Sequence, residues 1–153
     1  MSRTAAHMQI GEVAERTNLS LRTIRYYGEV GLVVPSARSR GGFRLYTESD
    51  IERLLLIKRM KLLEFSVEDM GELLSLLDRL DEGAASGPER ADLLDRLAEF
   101  ESVVEERRAV LRERLTIAEE FGGRLRDQRR KYQEQAGPTG RVGQAASEET
   151  ERR

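Results

Sequence analysis

From Pro88 to Gln135 the chain runs without a proline, and its apolar residues recur at alternating steps of four and three. From Leu93 these steps land on Leu93, Leu97, Phe100, Val104, Arg107, Leu111, Arg114, Ala118, Phe121, Leu125, Gln128 and Tyr132. Nine of the twelve are apolar, over more than five heptads. That pattern is a coiled-coil seam rather than a lone amphipathic helix. One long helix cannot bury such a seam against itself, and the small front part of the chain offers too little surface to cover it. The sequence therefore predicts a homodimer through a helix over 89–135. Its dimerisation residues are Leu93, Leu97, Phe100, Val104, Leu111, Ala118, Phe121 and Leu125. Two arginines set the expected orientation. With Leu97 at position a, Arg107 and Arg114 occupy d positions. A parallel in-register pair stacks each on its own copy, at a cost on the order of a kcal/mol per layer. An antiparallel pair instead sets Arg107 opposite Leu111, Val104 opposite Arg114, Leu97 opposite Phe121 and Leu93 opposite Leu125. Each guanidinium then lies over an aliphatic group and snorkels outward, so the antiparallel pair is predicted. Gly122-Gly123 is expected to weaken the helix, with fraying or a bend beyond it.

The 153 residues are enough for one modest domain beside that helix. The formal net charge of −2 hides an asymmetry. Residues 1–63 carry eleven Lys/Arg against six Asp/Glu, and residues 64–153 carry fifteen against twenty-two. A basic front and an acidic rear suit a nucleic-acid reader with a separate assembly element. There is no cysteine, which excludes disulfides, thiolate metal sites and thiol switches. The single histidine, His7, makes a histidine-based metal site or catalytic triad untenable. No nucleophile–base set, phosphate-cradling loop or metal spacing points to an enzyme, and no cofactor is expected. No apolar run reaches membrane-spanning length, so a soluble, cytoplasmic protein without a membrane partner is expected.

In chain order, residues 1–8 read as a disordered N-terminus. Ile10, Val13 and Ala14 predict a short helix over Ile10–Arg16, and Thr17-Asn18-Leu19 a tight turn, with Asn18 suited to a left-handed conformation. Ser20 caps a second helix through Arg22, Thr23, Arg25, Tyr26 and Tyr27. Leu21 and Ile24 share its buried face. Two guanidiniums, a hydroxyl and a phenol are left to meet a polyanion. Two short helices joined this way form a helix-turn-helix. Gly31 stops the second helix. Leu32-Val33-Val34 then run extended, and Gly41-Gly42 followed by Phe43-Arg44-Leu45-Tyr46 predict a hairpin wing carrying Arg38, Arg40 and Arg44. Capping boxes at Thr47…Asp50 and Ser66…Asp69 open helices over Glu48–Leu63 and Val67–Leu80. Near the end of the first, Lys58, Arg59 and Lys61 either reach a DNA backbone or complement the helix's negative terminus. Residues 81–88 read as a linker and residues 136–153 as a disordered tail. The expected fold is mainly α: a winged helix-turn-helix over 9–80 with a small β-hairpin wing, then the long antiparallel coiled-coil helix.

The order of parts resembles the N-terminal domain of the MerR family of transcriptional regulators. The resemblance is carried by Ile10-Gly11-Glu12-Val13-Ala14, Thr23-Ile24-Arg25-Tyr26-Tyr27, Gly31-Leu32, Gly42-Phe43-Arg44-Leu45-Tyr46 and Phe65-Ser66. It implies a dimer that binds near-palindromic, double-stranded promoter DNA and distorts it so that RNA polymerase engages. The contacts it implies are Arg22, Thr23, Arg25, Tyr26, Arg44 and Tyr46, with Arg40 and Lys61 beside them, and the capping Ser20 is counted with these DNA-binding residues. Three positions depart from the family pattern. Gly28 stands for an acidic residue, Phe43 for a tyrosine and Glu64 for a glycine. The branches that sense metals, redox state or drugs use cysteines or a large C-terminal domain, neither of which this sequence carries. Two modes of control stay open: none beyond the protein's concentration or a partner protein, or a small apolar ligand held between Val67–Leu80 and the partner's long helix. The alternative to a DNA-binding regulator is a coiled-coil interaction adaptor.

Overall fold

A computed structural model describes residues 6–137. The elements are β1 (Met8–Gln9), α1 (Ile10–Thr17), α2 (Leu21–Glu29), β2 (Ala37–Arg38), β3 (Arg44–Tyr46), α3 (Glu48–Leu62), α4 (Val67–Asp81) and α5 (Gly87–Gln135). The expected disorder at residues 1–5 and at residues 138–153 lies outside the described residues. Met8 corrects the expected start of order. It is buried and pairs with Tyr46, so β1 forms one edge of a three-stranded antiparallel sheet ordered β1-β3-β2. In β2 and β3, Ala37 faces Leu45 and Arg38 faces Arg44. Leu32-Val33-Val34 is not a strand. Leu32 and Val33 are buried as a connector, their N–H groups both donating to the carbonyl of Tyr27.

The two short helices form for the reasons their sequence suggests. α1 ends at Asn18, whose φ of 54° reverses the chain. Ser20 accepts a hydrogen bond from Thr23 N–H at 3.0 Å and opens α2. Val13, Thr17, Ile24 and Tyr27 bury the facing sides. Gly31, at φ 79°, ends the run. Two links fix α1 to α3. Arg16 forks onto Glu48, and Lys58 donates to the carbonyl of Thr17 at 3.0 Å. Lys58 thus serves the end of α1, rather than DNA or the terminus of its own helix.

Both capping boxes are present, at Thr47/Asp50 and Ser66/Asp69. Asp50 is itself buried, and one of its oxygens accepts from two donors: Thr47 N–H at 2.9 Å and the Ser36 hydroxyl at 2.7 Å. The base of the wing is fastened to α3 through that atom. Between α3 and α4 the chain turns through Glu64, at φ 63°. There Phe65 N–H donates to Met60 and Glu64 N–H to Lys61, which satisfies the last carbonyls of α3.

The chain forms two units, one ending at Arg107 and the other starting at Arg108. The first therefore takes in the opening turns of α5; of residues 81–88, expected as a linker, Asp81 ends α4, Gly87 and Pro88 open α5, and 82–86 form the turn between them with Ala85 buried. Leu93, Leu97, Phe100, Val103 and Val104 pack against the core formed by the preceding helices. Ion pairs Arg79–Glu89 and Glu72–Arg96 run α4 antiparallel to this stretch. Arg107 completes it by stacking over the Phe65 ring, 4.1 Å from its centroid, and donating to the carbonyl of Leu63. Its guanidinium is thus engaged inside its own protomer, a tie that the heptad pattern did not predict. In the second unit α5 continues without interruption through Gly122-Gly123 to Gln135, where a weakening was expected.

Candidate nucleic-acid interface

α2 presents Arg22, Arg25 and Tyr26 to solvent, because Ile24 and Tyr27 take the buried face of so short a helix. Ser20 and Thr23 are tied together through their hydroxyls at 2.8 Å. Tyr26 leans on Tyr27, with ring centroids 5.7 Å apart. Burial pushes the Tyr27 phenol above its usual range, with the neighbouring Tyr26 adding to the effect, so Tyr27 stays neutral inside the domain.

The wing turn is held by its own small residues. Gly42 N–H donates to the Ser39 carbonyl, Ser39 N–H to the Phe43 carbonyl, and Phe43 N–H to the Ser39 hydroxyl. Gly42 takes a φ of 80°, which a side chain would strain. Arg38 reaches across to the Gly42 carbonyl at 3.1 Å, and Arg40 is exposed. The strand pleat puts Arg44 and Tyr46 on one face, since residues two apart share a side. Arg44 is half-buried, and its Nη1 lies under α2, where a Cβ on Gly28 would stand 3.7 Å from it. That nitrogen and the Tyr46 hydroxyl are buried without a hydrogen-bond partner. Tyr46 is fully buried. It is withdrawn from the expected DNA contacts, because its ring fills the space between the sheet and the core.

The recognition helix and the wing meet at a notch of about 230 Å³ lined by Gln9, Ile10, Arg25, Arg38, Gly42, Phe43 and Arg44. Three arginines line it, Arg44 with its Nη1 buried and Arg38 with its Nη1 on the Gly42 carbonyl. Of the expected contacts, Arg25 and Arg44 line the notch. Ser20, Arg22, Thr23, Tyr26 and Arg40 lie elsewhere on α2 and the wing, and Lys61 is exposed in the last turn of α3. Sequence reasoning put Arg38 and Phe43 on the wing but assigned neither a contact, and it gave Gln9 no role. The sequence signals for Phe43 were an aromatic side chain directly after two glycines and its place where the resembled family carries a tyrosine. Such an arrangement can bind a backbone phosphate and leave α2 free to read base edges.

The dimerisation residues divide between the two units. Leu93, Leu97, Phe100 and Val104 are half-buried on their own core, while Leu111, Ala118, Phe121 and Leu125 are exposed. Val110, Leu115 and Ile117 widen the exposed apolar face. Among the described residues no group of three or more His, Cys, Asp or Glu is placed to hold a metal. No described helix is long and apolar enough to cross a membrane.

Residues 8–77 match the family model described as MerR HTH family regulatory protein. The chain is 34% identical over 116 residues to the HTH-type transcriptional regulator CueR of Salmonella typhimurium, covering 76% of this chain and 83% of that protein. It is 37% identical over 94 residues to Heavy metal-dependent transcription regulator 2 of Rhizobium meliloti, covering 61% of this chain and 63% of that protein. Among solved structures, that of HiNmlR, a MerR family regulator lacking the sensor domain, bound to promoter DNA, shares the fold. Its TM-score is 0.63 at 20% identity, over 80% of this chain and 92% of that one.

Proposed function

Because the chain belongs to the MerR helix-turn-helix family of regulatory proteins, which are DNA-binding transcriptional regulators and not enzymes, we propose that it works as a homodimer on near-palindromic promoter DNA. α2 enters the major groove with Arg22 and Arg25 toward base edges. Ser20, Thr23 and Tyr26 fix phosphates, and Arg40 and Arg44 grip the flanking backbone from the wing. Lys61 reaches a more distant phosphate. The observation that carries this reading is that Arg25 from α2 and Arg38 and Arg44 from the wing line one notch, on the basic half of the molecule.

The two copies join through antiparallel α5 helices. The support is the apolar face of Leu111, Ala118, Phe121 and Leu125, which no residue of its own unit buries. The paired heads distort the duplex so that RNA polymerase engages both promoter elements. Activity follows the protein's concentration or a protein partner rather than a thiolate-bound metal, since the sequence contains no cysteine.

Anisotropy titration of the full chain on duplex DNA from upstream of its own gene tests the reading. Binding is expected to weaken steeply with salt, with log K falling by about 0.9 per neutralised phosphate per decade of salt. Arg25→Ala is expected to abolish preference over an unrelated duplex. A variant that binds its site as well as the parent would count against α2 as the reading helix. Adding Zn(II) or a chelator should leave the affinity unchanged.

A further inference from the structure

The notch has one wall that charge does not explain. Phe43 stands at the end of the wing turn with 63% of its surface exposed. It is not a frayed side chain, for its backbone N–H and carbonyl are both engaged with Ser39. Its ring lies so close over Gly41 that a Cβ there would come within 3.1 Å of it. The turn therefore holds an apolar ring in place beside three arginines. A phenyl group has nothing with which to hydrogen-bond a phosphate oxygen. It matches instead the C–H face of a deoxyribose. In duplex DNA every phosphate is flanked by sugars, so cations that draw a phosphate into the notch bring a sugar against its apolar wall. α1 opens at the same place, its N-cap Gln9 and first residue Ile10 lining the notch, with no side-chain cap from Gln9.

We propose that the notch seats one phosphodeoxyribose unit of the DNA backbone, with the phosphate on Arg25 and Arg38 above Arg44, and the sugar's C–H face on Phe43. This rests on the DNA-binding reading above and adds the chemical unit that is recognised. Hydroxyl-radical footprinting, which cleaves at exposed deoxyriboses, tests it together with titrations over a range of salt, using the full chain and its upstream duplex. Phe43→Ala should re-expose one sugar in each half-site that the parent protects. It should weaken binding by roughly five- to tenfold, the scale of one lost apolar contact. The salt slope should not change, since a neutral contact releases no counterion, whereas Arg38→Ala should lower it by about 0.9. Phe43→Leu should keep part of the affinity. The thermal melt of Phe43→Ala should match the parent, because the ring is mostly exposed.

A Phe43→Ala protein with parental affinity and footprint overturns the proposal. So does a slope change like that of Arg38→Ala. A permanganate-reactive thymine in the parent complex that Phe43→Ala abolishes would show a base wedge instead of a sugar contact. If the parent binds no duplex at all, the DNA-binding reading fails and takes this one with it. If the parent binds and Phe43→Ala is silent, only the present proposal falls.

Discussion

Tyr46 is where residue chemistry and fold disagree most sharply. In the sequence it stands two residues from Arg44 in a basic wing, a natural partner for phosphate. In the structure the shared face of that strand turns inward, and the phenol is buried without a hydrogen-bond partner. A buried unpaired hydroxyl carries a desolvation penalty of about 1–3 kcal/mol. Tyr46→Phe is therefore expected to leave stability unchanged or raise it by up to about 1 kcal/mol, and to leave DNA affinity at the parental value. Urea unfolding and duplex titration of the same variant check both. A clear loss of affinity would return Tyr46 to the interface. The sequence could not show this, because in a three-residue strand alternation names a shared face without saying which way it points. Gly28 has a similar lesson. Its missing side chain is legible, but that its place lies beside the Arg44 guanidinium is a fact of packing.

At the scale of elements, the helix ends were the most legible parts. Ser20, Thr47 and Ser66 each cap a helix through local hydrogen bonds that need no tertiary partner, so their chemistry is complete in a few residues. β1 was missed because two residues carry no periodicity, and its pairing with β3 is set by residues nearly forty positions on. The α3–α4 turn holds an expectation that backbone geometry explains. Glu64 occupies a left-handed position that glycine adopts without strain. Glu64→Gly should stabilise the domain by about 0.5–1 kcal/mol and raise its melting temperature by a few degrees. A lower melting temperature would show that the glutamate side chain contributes something the turn geometry does not reveal. The cap of α4 makes a pH prediction. Hydrogen bonds from the Ser66 backbone and hydroxyl, aided by the nearby Arg107, hold the Asp69 carboxyl below its ordinary range against a smaller opposing effect of burial. A carboxyl lowered on folding stabilises the fold in full above its unfolded value of about 3.9, and that contribution fades as pH falls through the lowered value. Melting temperature against pH should therefore show a shallower acid limb for Asp69→Asn than for the parent.

For the whole molecule, the heptad pattern predicted a long helix but could not say what would cover it. Periodicity marks a face as apolar and is silent on whether the cover comes from the same chain or another. The structure answers for the opening turns, where Leu93 to Val104 lean on their own helices and Arg107 is tied to Phe65 and Leu63. The exposed turns from Leu111 to Leu125 call for a second copy, and Leu97, only half-buried, keeps surface for one. Because the chain has no native cysteine, Leu97→Cys combined with Phe121→Cys gives a background-free test. The antiparallel pair should cross-link between chains only when both thiols are present. Efficient bonding of Leu97→Cys alone to its own copy would mean a parallel pair. Sedimentation should give twice the chain mass before oxidation.

The single Asp50 oxygen that holds both Thr47 and Ser36 has a kinetic corollary. It ties down the base of the arm that carries Phe43 and three of the cations, so on the proposed mode of binding that arm is already set before any duplex arrives. Ordering entropy is then spent during folding, and each collision with the right orientation can proceed straight to a bound state. A protein lacking that tether would have to capture its site with a swinging arm. The penalty would fall on how fast it finds the operator more than on how long it stays there.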